Sequence, residues 1–188
     1  MMDQEKKSMT NKDAVLKLIQ ESEAHAFAII DQTDIVYDYH FREICMRNSC
    51  GEYGKCWMCP PDVGDVNELM KKAQSYSYGI LYNSVSQLED SFDFEGMIEA
   101  KQKFNEIALK ITDEIRELDG DILHLGVGAC GICEKCAKKD NEPCRFPDRA
   151  IPSMESYGIF VAETAKKAGL KYINGKDTVT YFGIVLFR

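Results

Sequence analysis

Eight cysteines fall in two groups of four, and no other feature restricts this chain of 188 residues as much. The first group is Cys45, Cys50, Cys56 and Cys59; the second is Cys130, Cys133, Cys136 and Cys144. What they are for depends on the compartment. The opening MMDQEKKSMTNKD mixes acids and bases and has no apolar stretch of a secretory signal. Nor does any run approach the roughly 20 apolar residues that cross a bilayer. A cytoplasmic location is the expectation. Thiols stay reduced there, so cysteines at this density point to metal rather than to disulfides. The formal net charge of -8 sets the chain's field against phosphate groups, and neither nucleic acid nor a membrane surface is an expected partner.

The second group reads C-G-I-C-E-K-C, with Cys144 following in P-C-R. Thiolates at i, i+3 and i+6 wrap a loop around one corner of an iron-sulfur cube, each reaching a different iron, and a more distant cysteine supplies the fourth ligand. Structural zinc sites use one or two C-x-x-C knuckles instead of an uninterrupted run of three. The spacing therefore favours a 4Fe-4S cluster. The first group is less diagnostic. Gly51 and Gly54 let its backbone bend around a metal, and Pro60 and Pro61 stiffen the exit. Cys56 and Cys59 also make an ordinary zinc knuckle, so a four-thiolate zinc site stays open for this group. In two-cluster ferredoxins the fourth cysteine of a group, followed by proline as Cys59 is here, ligates the other cluster, so Cys59 or Cys144, the last cysteine of each group, is a candidate for exchange between the sites. Residues 41–61 and 130–150 each carry a small excess of cations within an acidic chain. Such neighbours help keep thiolates ionised, although ordinary surface charge gives the same count.

Around these groups the pattern is α/β. Thr10 with Asp13 starts a helix that ends near Glu23, and AFAII at 26–30 with IVYDY at 35–39 flank a polar turn, which predicts a hairpin. Asp65 with Glu68 starts a second short helix, and YGILYNSV at 78–85 predicts a strand. Apolar residues recur at helical spacing from Phe94 to Leu118, with Gly120 beyond, and ILHLGV at 122–127 has the continuous apolar character of a strand buried on both faces. Strand, long helix, strand predicts a right-handed βαβ unit. Ser153 caps a further helix that Gly158 breaks and Gly169 closes, and TVTYFGIVLFR is the last strand. The expectation is one α/β domain over residues 1–188, with βαβ units in a mixed sheet and cysteine-rich metal-binding segments at 45–59 and 130–144.

Three strings carry a family likeness: C-x4-C-x2-Y-G…C-P-P from Cys45 to Pro61, G-x-C-G-x-C-x-x-C from Gly128 to Cys136, and P-C-R-x-P…P-S-M-E-x-Y-G-I from Pro143 to Ile159. Together they resemble the DUF2284 family of predicted metal-binding proteins, over about residues 40–170. The resemblance implies cysteine-bound metal, iron-sulfur above all, and mostly anaerobic hosts, and it supplies no reaction. It carries over to Cys45, Cys50, Cys59 and the four cysteines of the second group. Without Cys56, the first site would have three thiolates and one open coordination position.

Weaker signals have plain alternatives. His25, His40 and His124 are metal-ligand types, but a lone histidine is more often a packed or surface residue. D-I-L-H-L-G at 121–126 does not have the corrinoid spacing D-x-H-x-x-G. Gly126 and Gly128 after a strand suit a phosphate or flavin, yet a full G-x-G-x-x-G is missing. Trp57 either shields a cluster or packs in the core. The reading from sequence is thus a protein with all eight cysteines as ligands of two 4Fe-4S clusters and no catalytic side chain. It moves electrons to a redox partner protein, or supports the maturation or reactivation of a partner redox enzyme. The alternative is a zinc-stabilised binding module with no redox role. An enzyme using an open iron as a Lewis acid has no recognisable base.

Overall fold

The computed structural model describes residues 11–188; Thr10 lies outside them. The described chain runs α1 (Asn11–Glu21), β1 (Ala26–Asp31), α2 (His40–Met46), α3 (Val66–Gln74), β2 (Tyr78–Gln87), α4 (Phe94–Ile115), β3 (Ile122–Leu125), α5 (Val161–Lys167) and β4 (Thr178–Phe187). The four strands form one sheet in the order β1-β2-β4-β3, antiparallel at every pairing.

This topology corrects two expectations. The sheet is not mixed, because β4 inserts between β2 and β3 and runs against both. β2, α4 and β3 do form a strand–helix–strand crossover between parallel strands, split by the last strand of the chain. The apolar runs suggested parallel neighbours because parallel sheets are usually buried on both faces. Here an antiparallel sheet is covered on both. Ile80, Tyr82, Val185 and Phe187 face Val15 and Ile19 of α1 and Phe104, Ile107 and Ile111 of α4. Leu81, Phe182, Ile184 and Leu186 face Ala73, Met154, Tyr157, Ile159 and Ala165 on the other side. Each such fully buried aliphatic or aromatic side chain contributes on the order of 1.5–3 kcal/mol.

The second correction is the hairpin. Ala26–Asp31 pairs with β2, not with 35–39. A 3-10 turn at Gln32–Asp34 redirects the chain, and Tyr37 bridges Ile159 while Phe160 N–H donates to Val36 O at 2.8 Å. The segment 35–39 thereby anchors the entry to α5.

Local starts and stops follow their side chains. Asp65 Oδ1 caps α3, accepting from Asn67 N–H at 2.9 Å and Glu68 N–H at 3.2 Å. Asp93 Oδ1 caps α4 through Gly96 N–H at 2.8 Å. Such caps are worth about 1 kcal/mol each. The long helix ends at Ile115, short of Gly120. Ser153 Oγ accepts from Ser156 N–H at 3.1 Å, within a 3-10 turn at Glu155–Tyr157 whose N-cap position is Met154. Gly158 then takes φ 70°, and a Cβ there would lie 2.8 Å from Met70. Both requirements exclude a side chain, which places the break before α5.

Among the described residues no helix is long and apolar enough to cross a membrane.

Candidate metal centre

The first cysteine group starts on a helix. Cys45 sits in the last turn of α2, whose own residues are all exposed or half-buried. Because α2 has no buried stripe, its sequence carries no helical period, and the helix was not visible in the pattern. Arg42, one turn before Cys45, reaches across to two other segments. Its Nη1 donates to Gly64 O at 2.8 Å and its Nη2 to Ser156 O at 3.4 Å. The Nε of Arg42 is buried and has no hydrogen-bond partner.

After α2 the chain folds into tight turns at Gly51 and Gly54, with φ 77° and 68°. Gly54 N–H donates to Pro60 O at 2.9 Å, and Cys59 N–H to Cys56 O at 3.0 Å. These turns bury Cys56 and Cys59, at 1% and 9% exposure, while Cys50 remains exposed.

The second group leaves the end of β3. Gly126 N–H donates to Pro152 O at 2.8 Å and Met154 N–H to Gly126 O at 3.0 Å, so the segment before the Glu155–Tyr157 turn fixes where the loop begins. A Cβ on Gly126 would meet Ile151 at 3.2 Å. Packing, rather than a phosphate or flavin, accounts for that glycine.

The structure brings the two groups together. Cys130, Cys133, Cys136 and Cys144 line one small cavity, and Cys56 of the first group lines it too, along with Trp57 and Phe146. The Cys59 thiol donates to Cys56, which is the leading cause of the Cys56 thiol being held down at about 6. Backbone N–H groups of Met58 and Cys130 and the Cys136 thiol act in the same direction. Cys59, as the donor and in a buried position, is pushed up. The hydrogen bond between them thus favours ionisation of Cys56 over that of Cys59. Burial raises the Cys45 thiol, with the Arg42 cation opposing and Cys50 and Glu155 adding repulsion. Burial also raises Cys130, and the charges of Cys56 and Cys144 add to it. The couplings run continuously from Cys45 through Cys50, Cys59 and Cys56 to the second group. Cys56 is the link between the groups, where the sequence pointed to Cys59 or Cys144.

Three contacts fasten the segments to each other. Trp57 Nε1 donates to Glu142 O at 2.9 Å, Lys139 pairs with Glu52 at 3.0 Å, and Lys138 pairs with Asp62. Lys138 Nζ also lies 4.2 Å from the centre of the Trp57 ring. Trp57 is half-buried and outside both hydrophobic clusters, so it walls the thiol cavity and does not pack in the core. Four of the cations counted near the cysteines, Lys135, Lys138, Lys139 and Arg149, are paired with carboxylates, and the charge of Lys139 also acts on Cys136 and Cys56.

The histidines stand apart from the thiol cavity. His40 is exposed, with Nδ1 2.7 Å from Asp38 Oδ1 and its ring stacked on Tyr39. His25, also exposed, donates its backbone N–H to Asn83 O at the start of β1. His124 is in the core between Tyr82 and Thr112.

All eight cysteines are free thiols. Among the described residues, no group of three or more His, Cys, Asp or Glu is gathered tightly enough to hold a single ion as it stands. The residues nonetheless suit bound metal. The donors are all soft sulfur, and the unpartnered Arg42 N–H beside Cys45 is a buried donor that a thiolate or a metal-bound sulfur would satisfy. A model of the family described as predicted metal-binding protein (DUF2284) matches residues 28–187. The chain belongs to this family. No curated protein and no solved structure matches it. The match extends beyond the three cysteine-bearing strings and takes in β2, β3, β4 and most of β1.

Proposed function

We propose that this DUF2284 protein holds two 4Fe-4S clusters on its eight cysteines and passes electrons to a partner redox protein in the cytoplasm of an anaerobe. The observation that carries the reading is the junction at Cys56. One buried thiol lines the second group's cavity, and hydrogen bonding from Cys59 of the first group and Cys136 of the second both lower its pKa, which supports placing metals held by the two groups close together. Adjacent clusters suit electron passage through the protein, and the clusters supply the redox chemistry. The chain's own residues hold the thiolates and exclude water on the second group's side through Trp57 and Phe146. They also leave the first group near the surface, where Cys50 is exposed. Beside it, Ile44 and Met46 on α2 are 52% and 60% exposed and give a partner an apolar contact next to that group.

The hydrogen-bonded thiols of Cys56 and Cys59 favour a second reading, because a zinc knuckle also sets two thiols side by side. In that case the protein is a zinc-stabilised binding module. Purification without oxygen, followed by iron, zinc and acid-labile sulfide analysis, separates the two. The electron-carrier reading expects brown protein with about eight irons and matching sulfide, from two cubes of four. Colourless protein with stoichiometric zinc and no sulfide contradicts it.

A further inference from the structure

A second cavity, of about 430 Å³, lies along the outer edge of β3, between the end of α4 and the segment 147–152. We propose that it binds a small organic anion, of the size of a di- or tricarboxylate, beside the metal centre. The position beside a metal rests on the function proposed above; the binding of the anion does not.

Four observations converge on this site. Its volume is within the range of small-molecule pockets. Its floor offers backbone hydrogen bonds. Gly126 turns both its N–H and its C=O away from β4, toward Pro152 and Met154. The two-residue alternation of a strand then points the N–H and C=O of His124 and Ile122 to the same outer edge. Both residues line the cavity, and among the described residues no strand pairs with that edge. The charge in the cavity is positive: Lys72 and Arg116 stand against one carboxylate, Asp148, in a chain of net charge -8. A negative ligand of several oxygens matches two cations and the two backbone N–H groups of that edge. Finally, Met58 and Ala150 line this cavity and the thiol cavity alike. One side chain of the cysteine segment thus separates a ligand here from the second group.

Succinate and citrate, with inorganic phosphate for comparison, serve as probes titrated into the anaerobically prepared protein. Calorimetry is expected to show saturable binding of a carboxylate probe, tighter than phosphate. The exposed pair Lys72→Ala/Arg116→Ala should weaken it at least tenfold, whereas Lys17→Ala, on α1 and outside the cavity, should not. Leu118→Trp fills the cavity with its charges intact and should also abolish binding, so a folding defect in one variant leaves the other informative. Absence of saturable binding, preference for phosphate, or unchanged affinity in both cavity variants overturns the proposal. Iron and sulfide measured on the same sample test the metal reading separately. In iron-loaded, reduced protein the bound probe's protons should show paramagnetic broadening. Binding without broadening in that sample removes the metal from the probe's surroundings and overturns the placement.

Discussion

Arg42 ties the start of the first cysteine group to Gly64 and to the turn before α5. Two of its donors hold Gly64 and Ser156 carbonyls, its cation offsets charge at Cys45, and its Nε–H is buried without a partner. Arg42→Met keeps the length of the side chain and removes all three functions. We expect a loss of about 1–3 kcal/mol from the two orphaned carbonyls, measured by chemical denaturation. The first centre should also become harder to reduce, since a cation and a donor near it are gone, and a potentiometric titration reads that shift. His124 gives a prediction of a different kind. Thr112 Oγ1 donates its hydrogen to Ala108 O at 2.9 Å, so it accepts from His124 Nδ1–H, and His124 Nε2 accepts from Tyr82 O–H at 2.8 Å. That arrangement needs the neutral ring, and burial pushes its pKa down to about 3. In the unfolded chain the ring takes up a proton near its ordinary value of about 6.5. Between those values only the unfolded state binds the proton, so stability must fall as the pH is lowered from about 6.5 toward 3, by up to about 1.4 kcal/mol per unit. His124→Gln, which retains a donor and an acceptor but does not titrate, should flatten that part of a denaturation profile against pH. An unchanged slope would contradict the burial of a neutral ring.

Among the elements, what carried its own signal was legible and what depended on distant partners was not. α3 and α4 declared themselves through Asp65 and the apolar repeat from Phe94 to Leu118, of which the helix takes Phe94–Ile115. β2 and β4 did so through β-branched and aromatic runs. The partners of the strands were not readable, because continuous apolar character reports burial on two faces and says nothing of direction. β1 looked like half of a hairpin since its true partner, β2, is separated from it by the whole first cysteine group. The eight candidate ligands were legible as a set, but their interleaving was not. No spacing rule reveals that Cys56 turns toward Cys136, a contact made by folding the segment 136–144 over Trp57. The loop 130–144 has little regular structure beyond one 3-10 turn at Ala137–Asp140. It is held by Arg145 to Lys135 O, by Trp57 and by ion pairs to the first segment. On the proposed reading, metal bound by these cysteines helps to hold the loop closed. Cys133→Ser should therefore lower both metal content and melting temperature, and limited proteolysis should cut between Cys130 and Cys144. A metal-poor variant with the melting and protease resistance of the original protein would show a loop that stands without its metal.

At the scale of the whole molecule, the sheet does not bear the chemistry; it brings two sequence-distant loops to one place. α1 and α4 close one face, and α3, α5 and the turn before α5 close the other. β3 releases the second cysteine group where the turn before α5 meets both α2 and Gly126. Fold and site are thus coupled through residues 150–160, which explains why the P-S-M-E-S-Y-G string lies outside both cysteine groups and still accompanies them. The central claim is that the two groups hold neighbouring iron-sulfur centres joined at Cys56. Electron paramagnetic resonance of the anaerobically prepared, fully reduced protein tests it most directly. Two reduced clusters in contact through Cys56 and Cys59 should give one broadened spectrum with spin-spin splitting, which simplifies when only one centre is reduced. Two sharp, independent signals, or no signal from protein carrying only zinc, would contradict it.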